Sequence, residues 1–237
     1  MKRKRISGAD RRSSILEAAR SVFAERGYEG AKTQQIAAAA KVSEALVYRH
    51  FPSKMALYRA VLRQLIREQN ANFDSLGLPE PSTHSLVLTI KHYFRNCLND
   101  RPTHQAEATR IMLASLAGDG SYARLIYRRA IRLMTQPVQQ ALEAARASGD
   151  LKGEPIDAVN VSLFLEHIGS MISASRLTPT PSIPYNGGDE ALLRTAVWFC
   201  GRGLGLTDEA LETYYDRDPE VKETAEAPAR KTRVRRA

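Results

Sequence analysis

The chain has 237 residues and a formal net charge of +9, and its two cysteines, Cys97 and Cys200, are too few for a disulfide scaffold or a four-ligand zinc site. Residues 1–65 hold 14 basic and 5 acidic side chains, whereas residues 66–237 hold 21 of each. A positive excess confined to one end argues for a polyanion-binding module attached to a neutral body.

The basic start, Met1 to Arg5, runs into Ser7-Gly8-Ala9-Asp10-Arg11-Arg12 where an export signal needs an apolar stretch, so none is expected. The most apolar windows, near 15–24 and 162–174, are broken by Glu17, Arg20 and Glu166 and fall short of the ~20 residues a membrane helix requires. A soluble, reduced, cytoplasmic protein with no membrane partner is expected. Period-2 alternation is missing and helical spacing recurs from end to end, so the fold class is all-α.

Ile15, Leu16, Ala19, Val22 and Phe23 form one stripe of a first helix that stops at a Gly27 C-cap. Thr33 caps a short helix through Ala40 with Ile36, Ala37 and Ala40 inward, and Ser43 caps another to about Phe51. Pro52-Ser53-Lys54 ends that helix, and Ser53 opens a long one with Leu57, Val61, Leu65 beside Tyr58, Leu62, Ile66, fading near Asn72. Leu76 to Pro81 reads as a linker and 70–81 as a domain boundary. Further helices are predicted over about 82–99, 103–117, 121–147, 156–177 and 189–204, with a short one at 208–215. Pro137 should kink or break the third of these, and 178–188 is a loop. From Asp216 the chain is charged and poor in large apolar residues, so a disordered tail is expected over 216–237.

Two short helices joined by a tight turn, inside the segment that owns the charge excess, make a helix-turn-helix reader. Val42, Val47 and Phe51 pack inward, which leaves Ser43, Glu44, Ala45, Leu46, Tyr48, Arg49 and His50 to face DNA.

The run Ala24-Glu-Arg-Gly-Tyr-Glu-Gly30, then Thr33-Gln-Gln-Ile-Ala37, Val42-Ser43, Tyr48-Arg-His-Phe51 and Ser53-Lys54-Met-Ala-Leu57 resembles the N-terminal signature of the TetR/AcrR group of bacterial transcriptional regulators. The resemblance covers residues 9–69, with the helix-turn-helix at 32–51, and implies an effector-binding and dimerisation domain over 70–215. It implies a homodimer whose recognition helices enter successive major grooves. By position, Thr33, Tyr48, His50 and Lys54 resemble phosphate contacts, and Gln34, Glu44, Ala45, Leu46 and Arg49 the base-reading set. Two residues depart from the pattern: Lys41 stands where the family usually has glycine, and Leu46 where it has a small or hydroxylated residue. A leucine there suits a thymine methyl, and Glu44 a cytosine amino group.

In the second domain, His92, Tyr93, Phe94, Asn96, Cys97, Met112, Tyr122, Tyr127, Met134, Phe164 and His167 offer aromatic, thioether and polar groups on helices. That mixture suits a pocket for an amphipathic small-molecule effector and equally an ordinary core; His92, Tyr93, Asn96, Met112, Tyr127, Phe164 and His167 are the pocket candidates. Ala158, Val161, Leu165, Ile168 and Ile172 stripe one helix beside Gly169, Ser170 and Ser173, and Leu193, Ala196, Val197, Cys200 and Leu204 stripe the next. By the resemblance, two such hairpins pair across a two-fold axis as a four-helix dimer interface through Val161, Leu165, Ile168, Ile172, Leu193, Val197 and Leu204.

His84, His92, His104 and His167 share no i, i+4 partner, and no nucleophile elbow, phosphate loop or paired acid motif is present. No metal, cofactor or catalytic residue is therefore expected. Lys2 to Arg5 is a solvated run or an arm along DNA, and Arg230 to Arg236 a solvated run. The sequence predicts a dimeric repressor of a palindromic double-stranded DNA operator, released by its effector. The alternative is an architectural, nucleoid-associated DNA-binding protein without ligand control.

Overall fold

The computed structural model describes residues 7–75, 80–99 and 103–217, with side chains described in all of these except 69–75. The basic run 2–5, linker positions 76–79 and the tail from 218 lie outside the described residues. Ten helices follow in order among the described residues: α1 Gly8–Gly30, α2 Thr33–Ala39, α3 Glu44–His50, α4 Lys54–Ser75, α5 Thr83–Leu98, α6 Thr103–Ala117, α7 Ser121–Ala147, α8 Ala158–Ser175, α9 Asp189–Leu204 and α10 Asp208–Tyr215. The sole extended pairing among these residues is an isolated bridge, Leu151 to Leu206.

Ser7 starts α1 by accepting the Asp10 N–H at 3.0 Å, and Gly27, at φ 66°, turns its end before one further helical turn to Gly30. Ile15, Leu16, Ala19, Val22 and Phe23 are all buried, and Phe23 packs edge-on against Tyr58 of α4 at 4.9 Å. Thr33 is not the cap of α2: Lys32 holds that position, with its N–H donated to Gln35 Oε1 at 3.0 Å. The Gln35 side chain reaches back to the cap backbone, which frees Thr33 to turn inward as the first helical residue. Lys41 adopts the left-handed conformation at φ 54°, and Val42 N–H closes the turn on the Ala37 carbonyl at 3.0 Å. A lysine thus occupies the backbone geometry that glycine would fill, and the turn keeps its form.

α7 runs unbroken through Pro137, so of the expected kink or break the break does not occur. Its two halves are clamped separately: Tyr122 sits in the N-terminal core, while Val138, Ala141 and Ala145 sit in the core of the body. Packing on both sides outweighs the one missing N–H. Ser82 and Ser85 cap α5 reciprocally, with Ser85 N–H to Ser82 Oγ at 3.0 Å and Ser82 N–H to Ser85 Oγ at 2.9 Å.

Two apolar cores result. One joins α1 to α4 and takes in Ile111 of α6 and Tyr122 of α7. The other joins α5 with α7, α8, α9 and α10. Helix α6 therefore lies against α1 on one side and α7 and α8 on the other.

Candidate nucleic-acid interface

Ser43 fixes the start of α3 by accepting the Leu46 N–H at 3.2 Å, and Glu44 in the first turn complements the positive helix end. Val47 and Phe51 are buried, which aims the opposite face outward: Glu44, Ala45, Tyr48 and Arg49 are exposed, with Leu46 and His50 half-buried at its edges. Gln34 is exposed on α2. Tyr48 donates its hydroxyl to Thr33 Oγ1 at 3.2 Å, so the phenol crosses from the recognition helix to the N-terminus of α2 and ties the two together.

Three predicted contacts have partners or burial that narrow their roles. Thr33 is buried, and its hydroxyl oxygen is taken by Tyr48. The His50 Nε2 atom is buried and has no hydrogen-bond partner among the described residues, which leaves Nδ1 for any outward contact. Lys54 Nζ donates to the carbonyls of Tyr28 at 2.8 Å and Ala31 at 3.1 Å and lies 4.4 Å over the Tyr28 ring. The lysine locks the first turn of α4 onto the chain leaving α1, with one N–H left for a phosphate.

In the body, the pocket candidates divide. Tyr93 donates its hydroxyl to the Glu166 backbone carbonyl at 3.1 Å and to the Glu166 carboxylate, and burial followed by that carboxylate pushes the phenol well above its ordinary range. Ser170 donates to Glu166 Oε1 at 2.6 Å. Tyr127 meets the His167 ring edge-on at 5.7 Å, and burial followed by Glu166 raises its phenol. The helices approach closely here: a Cβ on Gly169 would stand 2.4 Å from the Tyr93 ring. Met112 packs instead on the N-terminal core, Asn96 is exposed, and Phe164, 62% exposed, and His167 line an outer groove; His92 is half-buried.

That groove, about 1080 Å³, runs between α8 and α9 and includes Val161, Leu165, Ile168 and Leu204 of the predicted dimer set. Ile172, Leu193 and Val197 turn into the protein's own core, with Val197 at 0% exposure. Phe199 at 69% and Met171 at 48% take the outward positions that the sequence reading had assigned to them. α8 is apolar on more than one face, so helical spacing alone selects no single stripe.

The family model for bacterial regulatory proteins of the tetR family matches residues 15–61, which span the inward stripe of α1, both short helices and the start of α4. This N-terminal segment is of the TetR type. The chain is 45% identical over 60 residues to the transcriptional activator FasR of Mycolicibacterium smegmatis, covering 25% of this chain and 27% of FasR. It is 35% identical over 95 residues to the transcriptional repressor NicS of Pseudomonas putida, covering 38% of this chain and 45% of NicS. The matched region thus spans less than half the length of these relatives. Two solved structures share the fold: a tetR-family regulatory protein from Rhodococcus RHA1, at TM-score 0.60, 22% identity and coverage of 84% and 98%, and AibR, solved with isovaleryl coenzyme A and operator DNA, at TM-score 0.59, 21% identity and coverage of 83% and 100%.

Two groups escaped the sequence reading, and both had registered only as interruptions of apolar windows. Glu166 is one. The other is Arg20, 2% exposed, whose Nη1 donates to Glu68 at 2.7 Å and whose Nη2 donates to the His104 carbonyl. Its Nε stands 2.9 Å from Glu107, and Ser21 donates to the same carboxylate at 2.5 Å. A charged residue inside an apolar stripe was the available signal, since such a group stays buried only when paired.

Proposed function

We propose that this chain is a cytoplasmic, homodimeric transcriptional repressor of the TetR family that binds a palindromic operator and leaves it when a small amphipathic effector occupies the body. The observation that carries the reading is the outward face of α3, with Glu44, Ala45, Tyr48 and Arg49 exposed over a buried Val47, in the segment that holds the positive charge. Gln34, Glu44, Ala45, Leu46 and Arg49 read bases; Tyr48, His50, Thr33 and Lys54 set the head on the backbone, Thr33 and Lys54 in part by fixing neighbouring elements.

The exposed apolar strip of Phe164, Met171 and Phe199 beside the α8–α9 groove supports dimerisation there, because isolated monomers rarely leave large aromatics uncovered side by side. Two heads so joined address half-sites about one helical turn, ~34 Å, apart. The polar cluster of Tyr93, Glu166, Tyr127 and His167 between α5, α7 and α8 supports the effector site. AibR, with the same fold, was solved with both a ligand and operator DNA. α6, wedged between α8 and α1, links that region to the heads. Its effector must bind one head spacing better than the other, since equal affinity shifts nothing.

The test is selection of bound sequences from a random duplex pool, followed by gel shift with the enriched fragment. A palindromic consensus retarded at moderate salt is expected; no enriched sequence, or protection spread along any fragment, sinks the regulator reading and favours an architectural role. Among the described residues, no helix is long and apolar enough to cross a membrane.

A further inference from the structure

Arg12 extends the DNA-contacting surface beyond the helix-turn-helix. Its guanidinium carbon lies 4.6 Å from the centroid of the Phe51 ring, over its face. Phe51 is the C-cap of α3, 3% exposed, and its N–H is donated to the Val47 carbonyl at 2.9 Å, so the ring is fixed to the end of the recognition helix. Arg12 itself is exposed and forms no ion pair among the described residues. Stacking therefore holds the guanidinium at one place, beside the last turn of α3, with no hydrogen-bond or ion-pair partner among the described residues.

α3 has seven residues, a rise of about 10 Å from first to last. When the N-terminal half of such a helix is at the base edges, its far end stands about that distance along the axis, close to the wall of a groove ~12 Å wide, where the phosphates are. A planar, always charged fork suits a phosphate at that wall, and no base edge needs to be within its reach. We infer that Arg12 is a phosphate-contacting residue that braces the C-terminal end of the recognition helix against the DNA backbone. The inference rests on the regulator reading, and it assigns α1 a part in DNA binding that the α2–α3 motif does not contain.

The test uses the full chain and the duplex that the wild type enriches from a random pool, with binding measured from 50 to 200 mM salt. Arg12→Gln should lower the magnitude of the log K against log salt slope by about 0.9, so that its deficit relative to wild type shrinks about 3.5-fold across that range. The ranking of single-base operator variants should stay as in wild type, and Arg12→Lys should restore the slope. An Arg12→Gln protein with wild-type affinity and slope overturns the assignment alone, leaving the regulator reading intact. So does a changed base ranking, or an affinity loss with an unchanged slope and a lowered melting temperature, which would mark a structural role. A wild type that enriches no sequence overturns both.

Discussion

Arg20 of α1 and Glu107 of α6 meet at 2.9 Å, Nε to Oε2, across the junction between the DNA-binding head and the body. The Nε–H is not aligned as a hydrogen bond, so the attraction is chiefly Coulombic, while Nη1 makes the directed bond to Glu68 of α4. One cation thereby pins three helices, α1, α4 and α6, around the N-terminal core.

Removing that cation leaves Glu107, 11% exposed at its side chain, without its countercharge. Breaking one partner of a buried pair costs roughly 3–5 kcal/mol, whereas replacing both with apolar groups of similar volume is often neutral. Glu68, being 42% exposed at its side chain, should contribute little of this. Urea unfolding is therefore expected to show Arg20→Met destabilised by about 3 kcal/mol and Arg20→Met/Glu107→Met restored most of the way. Equal losses in the single and double variants would remove the pair from any role in joining head to body.

Lys41 offers a test of opposite sign. At φ 54° a side chain costs roughly 1–2 kcal/mol against the right-handed region, and glycine's extra freedom in the unfolded chain returns about half of it. Lys41→Gly should therefore gain about 0.5–1 kcal/mol, a rise of roughly 2–4 °C per kcal/mol in Tm for a chain of this size. A melting scan in which the variant falls below wild type would show that the lysine supports the turn by a contact of its own.

How much of this was legible in the sequence depended on whether a residue's role is local. Ser43 as a cap, Ser53 accepting the Ala56 N–H at 3.0 Å, and the bounds of α9 and α10 all follow from spacing and capping chemistry within a few positions. Thr33 was misread as a cap because Gln35, three residues beyond Lys32, does that work from its side chain. A break at Pro137 does not occur because the forces that keep α7 continuous come from other helices. In α8 and α9 the apolar residues were correctly picked, but which of two stripes faces outward is decided by where α5 and α10 dock, and no periodicity within one helix carries that information. Arg20 and Glu166 became visible only with their partners 48 or more residues away.

α9 makes that distinction measurable on neighbouring residues. Phe199 is 69% exposed beside the groove, and Val197, two positions earlier, is fully buried against the body core. Phe199→Glu should give a folded monomer by light scattering, with helical circular dichroism near wild type and operator affinity much reduced, because one head holds only a half-site. Val197→Glu buries an unpaired carboxylate and should unfold the body or lower its Tm sharply. A Phe199→Glu protein that stays dimeric would place the dimer contact elsewhere.

Alkaline pH should loosen the body through Cys200. Desolvation pushes its thiol up to about 11 from a reference of 9.0, because the thiolate would lie among Leu193, Ala196 and Leu204 with no counter-ion to meet it. Below pH 9 the thiol is protonated in folded and unfolded chains alike, and its contribution is fully present. Between pH 9 and about 11 the unfolded chain releases the proton and the folded chain keeps it, so stability declines across that window. Tyr93, its phenol also raised by burial, adds a loss of the same sign at the upper end. Chemical denaturation at pH 8, 9.5 and 10.5 should show falling midpoints, with Cys200→Ala losing less over the same interval than wild type. At pH 8 both buried cysteines should resist a thiol-modifying disulfide reagent in the native protein and react in urea. Rapid native modification of Cys200, or a midpoint that rises with pH, would contradict the buried neutral thiol.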